Sequence, residues 1–226
     1  MQQQPEVLYE DNHLLALNKP AGMPVQGDQT GDEHLLQWAA AYLKQKYHKP
    51  GDAFVGLIHR LDRPVSGVVV LAKTSKALTR MNELFRSRNI RKEYIALTTR
   101  PLPEQEGRLE HFLDKDIKNN RAIVFRKEKP GAKTAMLEYQ LLEHRDGRFL
   151  YRVLPHSGRF HQIRAQLAFS GAPIVGDLKY GYPVPNPDKS ICLHAASLHF
   201  THPIRNTALV IDAPLPQVYL RLVPRF

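Results

Sequence analysis

The stretch Phe54-Val55-Gly56-Leu57-Ile58-His59-Arg60-Leu61-Asp62-Arg63-Pro64-Val65-Ser66-Gly67-Val68-Val69-Val70-Leu71-Ala72 decides how this chain is organised. Its last six residues are the strongest strand signal in the sequence. They are apolar with little alternation, which predicts a strand buried on both faces. The apolar residues 54–58 run directly into His59-Arg60-Leu61-Asp62, so this polar cluster reads as a loop held close to the core. Asp62 is flanked by Arg60 and Arg63, which favour its ionised form and suit a nucleophile or base. Taken alone, an aspartate so placed more often caps a turn or pairs with an arginine.

Upstream, Val7-Leu8-Tyr9 and Leu14-Leu15-Ala16-Leu17 are apolar runs separated by the turn-like Glu10-Asp11-Asn12-His13, which predicts a hairpin. Lys19-Pro20-Ala21-Gly22 then leaves the second strand as a rigid loop. A helix is predicted over residues 33–47 from the spacing of Leu35, Trp38, Ala39, Tyr42 and Lys46. Downstream, Thr74 or Ser75 caps a helix with the stripe Leu78, Met81, Leu84 and Phe85. Residues 94–98, 122–125, 134–142, 149–154, 193–200 and 208–212 read as strands, with Arg145-Asp146-Gly147-Arg148 as a hairpin turn. A further helix is expected over residues 160–170, with Ile163, Leu167 and Ala168 on one side and Gly171 as its stop. Strands dominate and helices are irregularly placed. The expected class is therefore α+β, a mixed, largely antiparallel sheet with flanking helices, in one continuous domain spanning residues 1–226.

Composition adds a partner class. Among 226 residues, 32 Lys and Arg stand against 22 Asp and Glu, a formal net charge of +10 that favours a polyanion or else is scattered for solubility. One cysteine, Cys192, excludes an internal disulfide and fits a reducing compartment. No basic-then-apolar leader opens the chain, and the longest apolar stretch, residues 68–72, is too short to span a bilayer. The expectation is a soluble, cytoplasmic protein with no membrane partner.

A second polar cluster is Ser157-Gly158-Arg159-Phe160-His161-Gln162-Ile163-Arg164. At a helix start its two arginines, histidine and glutamine can bind phosphate or orient a carboxylate; the alternative is a solvated amphipathic helix. Cys192, His194, His199 and His202 invite a zinc reading, but their spacing matches no usual ligand pattern, so no metal is expected.

His59-Arg60-Leu61-Asp62 followed by Ser66-Gly67 resembles the signature of the RluA-type pseudouridine synthases. Five further segments match in order. They are Asn18-Lys19-Pro20-Ala21-Gly22, Lys92-Glu93-Tyr94-Ile95-Ala96, Gly158 to Arg164 with Pro173-Ile174-Val175-Gly176-Asp177, Leu193-His194-Ala195 and Thr201-His202-Pro203. The resemblance covers residues 7–213. It implies isomerisation of a uridine in structured RNA, tRNA or ribosomal RNA, without cofactor or metal, by a monomer. It implies Asp62 as the catalytic carboxylate on a flipped-out nucleotide, Arg164 holding that carboxylate, and Tyr94 stacking on the base and taking part in proton transfer. Arg60 would fill the space the nucleotide leaves. His59, Lys19, Arg159, His161 and Gln162 complete the implied substrate-binding set, and Arg86, Arg88, Arg91 and Lys92 form an expected basic rim.

Phe160 and Val65 depart from the family pattern, which usually has a small polar or basic residue and a threonine there. Since the sequence opens almost at the first strand, no S4 RNA-binding domain is expected, and recognition falls to the catalytic domain, as in the stand-alone RluA and TruC types. The two rival readings are a catalytically silent RNA-binding protein and a metal-dependent phosphodiesterase using His59, Asp62 and the late histidines.

Overall fold

The computed structural model describes residues 4–222, so the first three residues of the opening segment lie outside it. The chain forms two compact units. The first runs up to Ile90 and is completed by Ala195–Pro214; the second comprises Arg91–His194 and the chain from Leu215 on. In chain order, β1 (Glu6–Glu10), β2 (Leu14–Lys19), α1 (Leu35–Lys46), β3 (Gly56–Leu57), β4 (Ser66–Ala72) and α2 (Ser75–Arg86) build the first unit. Strand β5 (Ile90–Thr98) carries the chain into the second, followed by β6 (Glu106–Asp116), β7 (Arg121–Phe125), β8 (Lys133–Arg145), β9 (Arg148–Pro155) and α3 (Gln162–Phe169). Strand β10 (Leu193–Thr201) returns to the first unit, where β11 (Ala208–Asp212) follows, and α4 (Gln217–Leu222) ends the described chain. This is the expected α+β class with a largely antiparallel sheet; the β1–β2 and β8–β9 hairpins and helices α1, α2 and α3 match the sequence signals, whereas α4 had none.

In the first unit β4 is the organising strand, and all seven of its residues are buried. Antiparallel β2 covers one edge, from Leu14 opposite Ala72 to Lys19 opposite Gly67. On the other edge β3 pairs only Leu71 and Ala72. The next amide there, Val70 N–H, is taken at 3.0 Å by Nε2 of His59, so a side chain of the loop continues where the short strand stops. Further along, β4 lies beside β10, and β10 pairs antiparallel with β11. Leu14, Ala16, Val68, Val70, Met81, Leu198 and Ile211 fill the core under α2. Thr74 caps that helix, its hydroxyl accepting from Ala77 N–H at 3.3 Å.

The second unit is an antiparallel array in the order β5-β9-β8-β6-β7. The β8–β9 turn needs two residues at positive φ, and Asp146 (49°) with Gly147 (70°) supplies them. Strand β6 has no counterpart in the sequence reading. Its charged residues alternate and only Leu113 is buried, so its strand character comes from pairing with both β7 and β8. Helix α3 also departs from expectation. Residues 162–167 are all buried, which removes the reading of a solvated amphipathic helix.

Gly67 marks the closest backbone approach of the first unit. Its φ is +114°, and a Cβ there would lie 2.2 Å from the carbonyl oxygen of Ala195. Strain at positive φ and the steric overlap act together, so Gly67→Ala should destabilise the protein by on the order of 3 kcal/mol or more. At Gly51 an added Cβ meets nothing within 4 Å, and Gly51→Ala should change stability by less than about 0.5 kcal/mol. Urea unfolding of both variants reads the difference directly.

Candidate active site

The Asp62 loop is pinned on several sides. The β2–β4 register brings Lys19 to the foot of this loop, and its ammonium group is fully buried. Nζ donates to the carbonyls of Pro20 (2.9 Å), Met23 (2.8 Å) and Arg63 (3.2 Å). Burial pushes the Lys19 pKa down to about 7; the Asp62 carboxylate opposes that shift and Arg63 adds to it. Val65 N–H closes the turn onto the Asp62 carbonyl at 3.0 Å. Gly22 N–H donates to the Arg63 carbonyl (2.8 Å), and Arg63 Nε donates back to the Gly22 carbonyl (2.9 Å). The same guanidinium reaches Thr30, Asp28 and Asp32, tying residues 22–32 to the loop. His59, accepting at Nε2 and stacked on Phe85 at 4.8 Å, fixes the other side.

Among the expected substrate-binding residues of this unit, Arg60 is exposed and Asp62 half-buried. Lys19 is not on a substrate-facing surface. A three-proton ammonium with three carbonyl acceptors is saturated, so Lys19 holds the loop that carries Asp62.

In the second unit the expected residues gather around the start of α3. Gln162 Oε1 accepts from Ser157 Oγ (2.7 Å) and Arg159 N–H (3.1 Å), while its Nε2 donates to the Met136 carbonyl (3.0 Å). Arg159 Nε donates to the Thr134 carbonyl at 3.0 Å. Gln162 is buried, so it braces the loop from within. Tyr94 is half-buried on β5 opposite Val153. Two residues earlier, Lys92 Nζ donates to the Ser157 carbonyl (3.2 Å) and ties β5 to the same loop.

Arg164, expected to hold Asp62, has a bidentate carboxylate partner that the sequence reading did not name as a site residue. Its Nε and one Nη donate to the two oxygens of Asp177 at 2.7 and 2.8 Å, with both side chains buried. Tyr180 completes the cluster. Its ring lies under the Arg164 guanidinium at 5.1 Å, and its hydroxyl accepts from Ala122 N–H (2.7 Å) and meets His161 Nδ1 at 2.9 Å. His161 adopts φ 51°, a left-handed conformation at the helix entry. The Gly176-Asp177 motif signalled Asp177, whereas nothing local in the sequence signals Tyr180.

Of the expected basic rim, Arg86 pairs with Glu83, Arg91 pairs with Glu93 and Lys92 is bonded to Ser157. The late histidines have local partners: His202 Nε2 pairs with Asp11 at 2.9 Å and His199 with Ser197 at 2.8 Å. Burial pushes the Cys192 thiol up to about 12. Among the described residues, no group of three or more His, Cys, Asp or Glu side chains is arranged to hold a metal ion. No helix among them is long and apolar enough to cross a membrane.

Comparison with known proteins resolves the family. The family model for RNA pseudouridylate synthases matches residues 13–169, which include Lys19, Asp62, Tyr94 and Arg164. The chain belongs to this family. It is an RNA pseudouridine synthase, an isomerase. The chain is 33% identical over 217 residues to ribosomal large subunit pseudouridine synthase C of Buchnera aphidicola (Acyrthosiphon pisum), covering 92% of this synthase and 67% of that protein. The Escherichia coli K12 protein of the same name is 32% identical, with 93% and 66% covered. Among solved structures, human RNA pseudouridylate synthase domain containing 4 superposes with a TM-score of 0.81 at 25% identity, covering 97% of this chain and 92% of that one. Human RNA pseudouridylate synthase domain containing 1, at 24% identity and a TM-score of 0.73, shares the fold.

The Lys19 environment makes a signed prediction. Its folded pKa of about 7 lies below the unfolded value of about 10.4, so the unfolded synthase binds more protons between them. Stability from this group therefore rises with pH across that window. Lys19→Met should abolish that rise and, by leaving the Pro20 and Met23 carbonyls without their donor, lower stability by about 2–4 kcal/mol at neutral pH. Denaturant unfolding from pH 6 to 10 measures both effects.

Proposed function

We propose that this synthase converts a uridine of large-subunit ribosomal RNA to pseudouridine with Asp62 as its catalytic carboxylate. The observation that carries the assignment is the fixed geometry of the Asp62 loop, whose backbone the buried Lys19 ammonium holds through the Arg63 carbonyl. The names of the bacterial relatives favour ribosomal RNA over tRNA.

The reaction breaks the N1–C1′ bond, turns the uracil and forms a C5–C1′ bond; the proton lost from C5 is matched by one gained at N1. An ionised carboxylate starts it by attacking C1′ or by removing a ribose proton. Tyr94 is assigned to stacking on the flipped base and to proton transfer at C5. Arg164, held by Asp177, is the positioning arginine. Arg60, exposed beside Asp62, fills the gap left in the RNA. His59 and Lys19 shape the Asp62 loop; Gln162 braces the second one from within, where Arg159 and His161 face the RNA backbone. In this reading residues 1–226 act as one cytoplasmic, monomeric catalytic domain that needs no cofactor or metal.

Tritium release from large-subunit ribosomal RNA transcribed with 5-tritiated uridine tests the proposal. Asp62→Asn should reduce the rate at least about 1000-fold while RNA affinity stays within about threefold. Wild-type turnover in the Asn variant contradicts the role of Asp62. A wild-type protein that binds the transcript but releases no tritium favours the silent RNA-binding reading.

A further inference from the structure

The basic charge of the chain is unevenly distributed. The segment Lys115 to Lys133 contains seven Lys and Arg residues against two acids, half of the formal net charge of +10. It comprises the end of β6, the turn, β7 and the chain up to the start of β8. Lys115, Lys118, Arg121, Arg126, Lys127, Lys129 and Lys133 are all exposed. One of the two acids is occupied within the turn: Asp116 accepts from Asn119 N–H (3.0 Å) and Asn119 Nδ2 (2.7 Å) and lies 3.6 Å from Arg121. Ile117, 82% exposed, stands at the tip between Lys115 and Lys118.

Several stems in this segment are ordered in advance. Lys115 lies over the ring of Phe160 (4.7 Å), Arg126 over Phe169 (5.6 Å) and Lys129 over Phe125 (4.3 Å). Long basic side chains resting on aromatic faces keep their charged ends in water and lose less rotamer freedom on binding an anion. The hairpin is also fixed to the loop at the start of α3. Ala122 N–H bonds to the Tyr180 hydroxyl that meets His161, Lys179 Nζ donates to the Asn120 carbonyl (3.0 Å), and Phe160 stacks on His161 at 3.8 Å. Phe160, which departs from the family pattern, thus packs on a lysine of the hairpin.

We propose that the β6–β7 hairpin with its following segment is a docking arm that grips the phosphates of folded RNA. It rests on the reading of ribosomal RNA as the substrate. The clustering of seven exposed cations, their ordering on aromatic rings and the bonding of the hairpin to the α3 loop through Tyr180 point to this arm rather than to a diffuse charge.

The test compares two full-length variants with equal charge loss, binding to unmodified large-subunit ribosomal RNA transcript at several salt concentrations. Lys118→Gln/Lys127→Gln/Lys133→Gln removes three charges from the arm; Lys44→Gln/Lys49→Gln/Lys76→Gln removes three from the first unit. The arm variant should lose at least about tenfold in affinity at 0.1 M salt, and its log–log salt slope should fall by about two to three; the control should stay within about threefold. Thermal melts confirm that both remain folded. Equal losses in the two variants, or no loss in the arm variant, overturn the proposal. Because the readout is binding, it stands apart from turnover. A wild-type protein that binds the transcript without isomerising it overturns the proposed function and leaves the arm to be judged on the affinities alone.

Discussion

A buried lysine ammonium saturated by three backbone carbonyls is the constraint on which the first unit's chemistry depends. Lys19 reaches that place because β2 pairs with β4 in a register that sets it opposite Gly67, where the loop becomes strand. From there it bonds residues on both sides of the loop, Pro20 and Met23 from its own segment and Arg63 beside Asp62. An unpaired buried charge would cost several kcal/mol, so the loop is held in the one geometry that satisfies it. The Asp62 carboxylate offsets part of the cost of burying that charge. Fold register, loop shape and the placement of the proposed catalytic group thus form one connected arrangement.

The second unit also buries a cation, here paired directly with a carboxylate. A buried guanidinium, Arg164, is neutralised by a bidentate carboxylate, Asp177, and backed by the Tyr180 ring. Tyr180 then passes the constraint outward through its hydroxyl to His161 and to β7. A single tyrosine therefore connects the start of α3 with a strongly basic hairpin.

Much of this was legible in the sequence, and what was missed has physical reasons. The uninterrupted apolar run into Ala72 announced a fully buried strand, and Asp146-Gly147 a tight turn, because both signals are local. Strand β6 was invisible because its charged side chains leave only Leu113 buried, so no apolar pattern marks it. The aligned motifs identified Asp62, Lys19 and Arg164, but not what each touches. A lysine in a basic, RNA-directed protein reads as a phosphate contact; only the β2–β4 register shows that its charge is turned inward. Similarly, the polar residues at 157–164 looked like a ligand cluster, although Gln162 spends one end of its amide on its own loop and the other on β8. Tyr180 had no signal because its role arises from a ring and a hydroxyl meeting three other segments.

Position-by-position mapping of pseudouridine in large-subunit ribosomal RNA is the most direct test, using cells that lack this synthase and cells complemented with wild-type or Asp62→Asn protein. The account predicts that at least one pseudouridine disappears from that RNA, returns with the wild-type chain and stays absent with the Asn variant. An unchanged ribosomal RNA in the deleted cells, or restoration by the Asn variant, would contradict it.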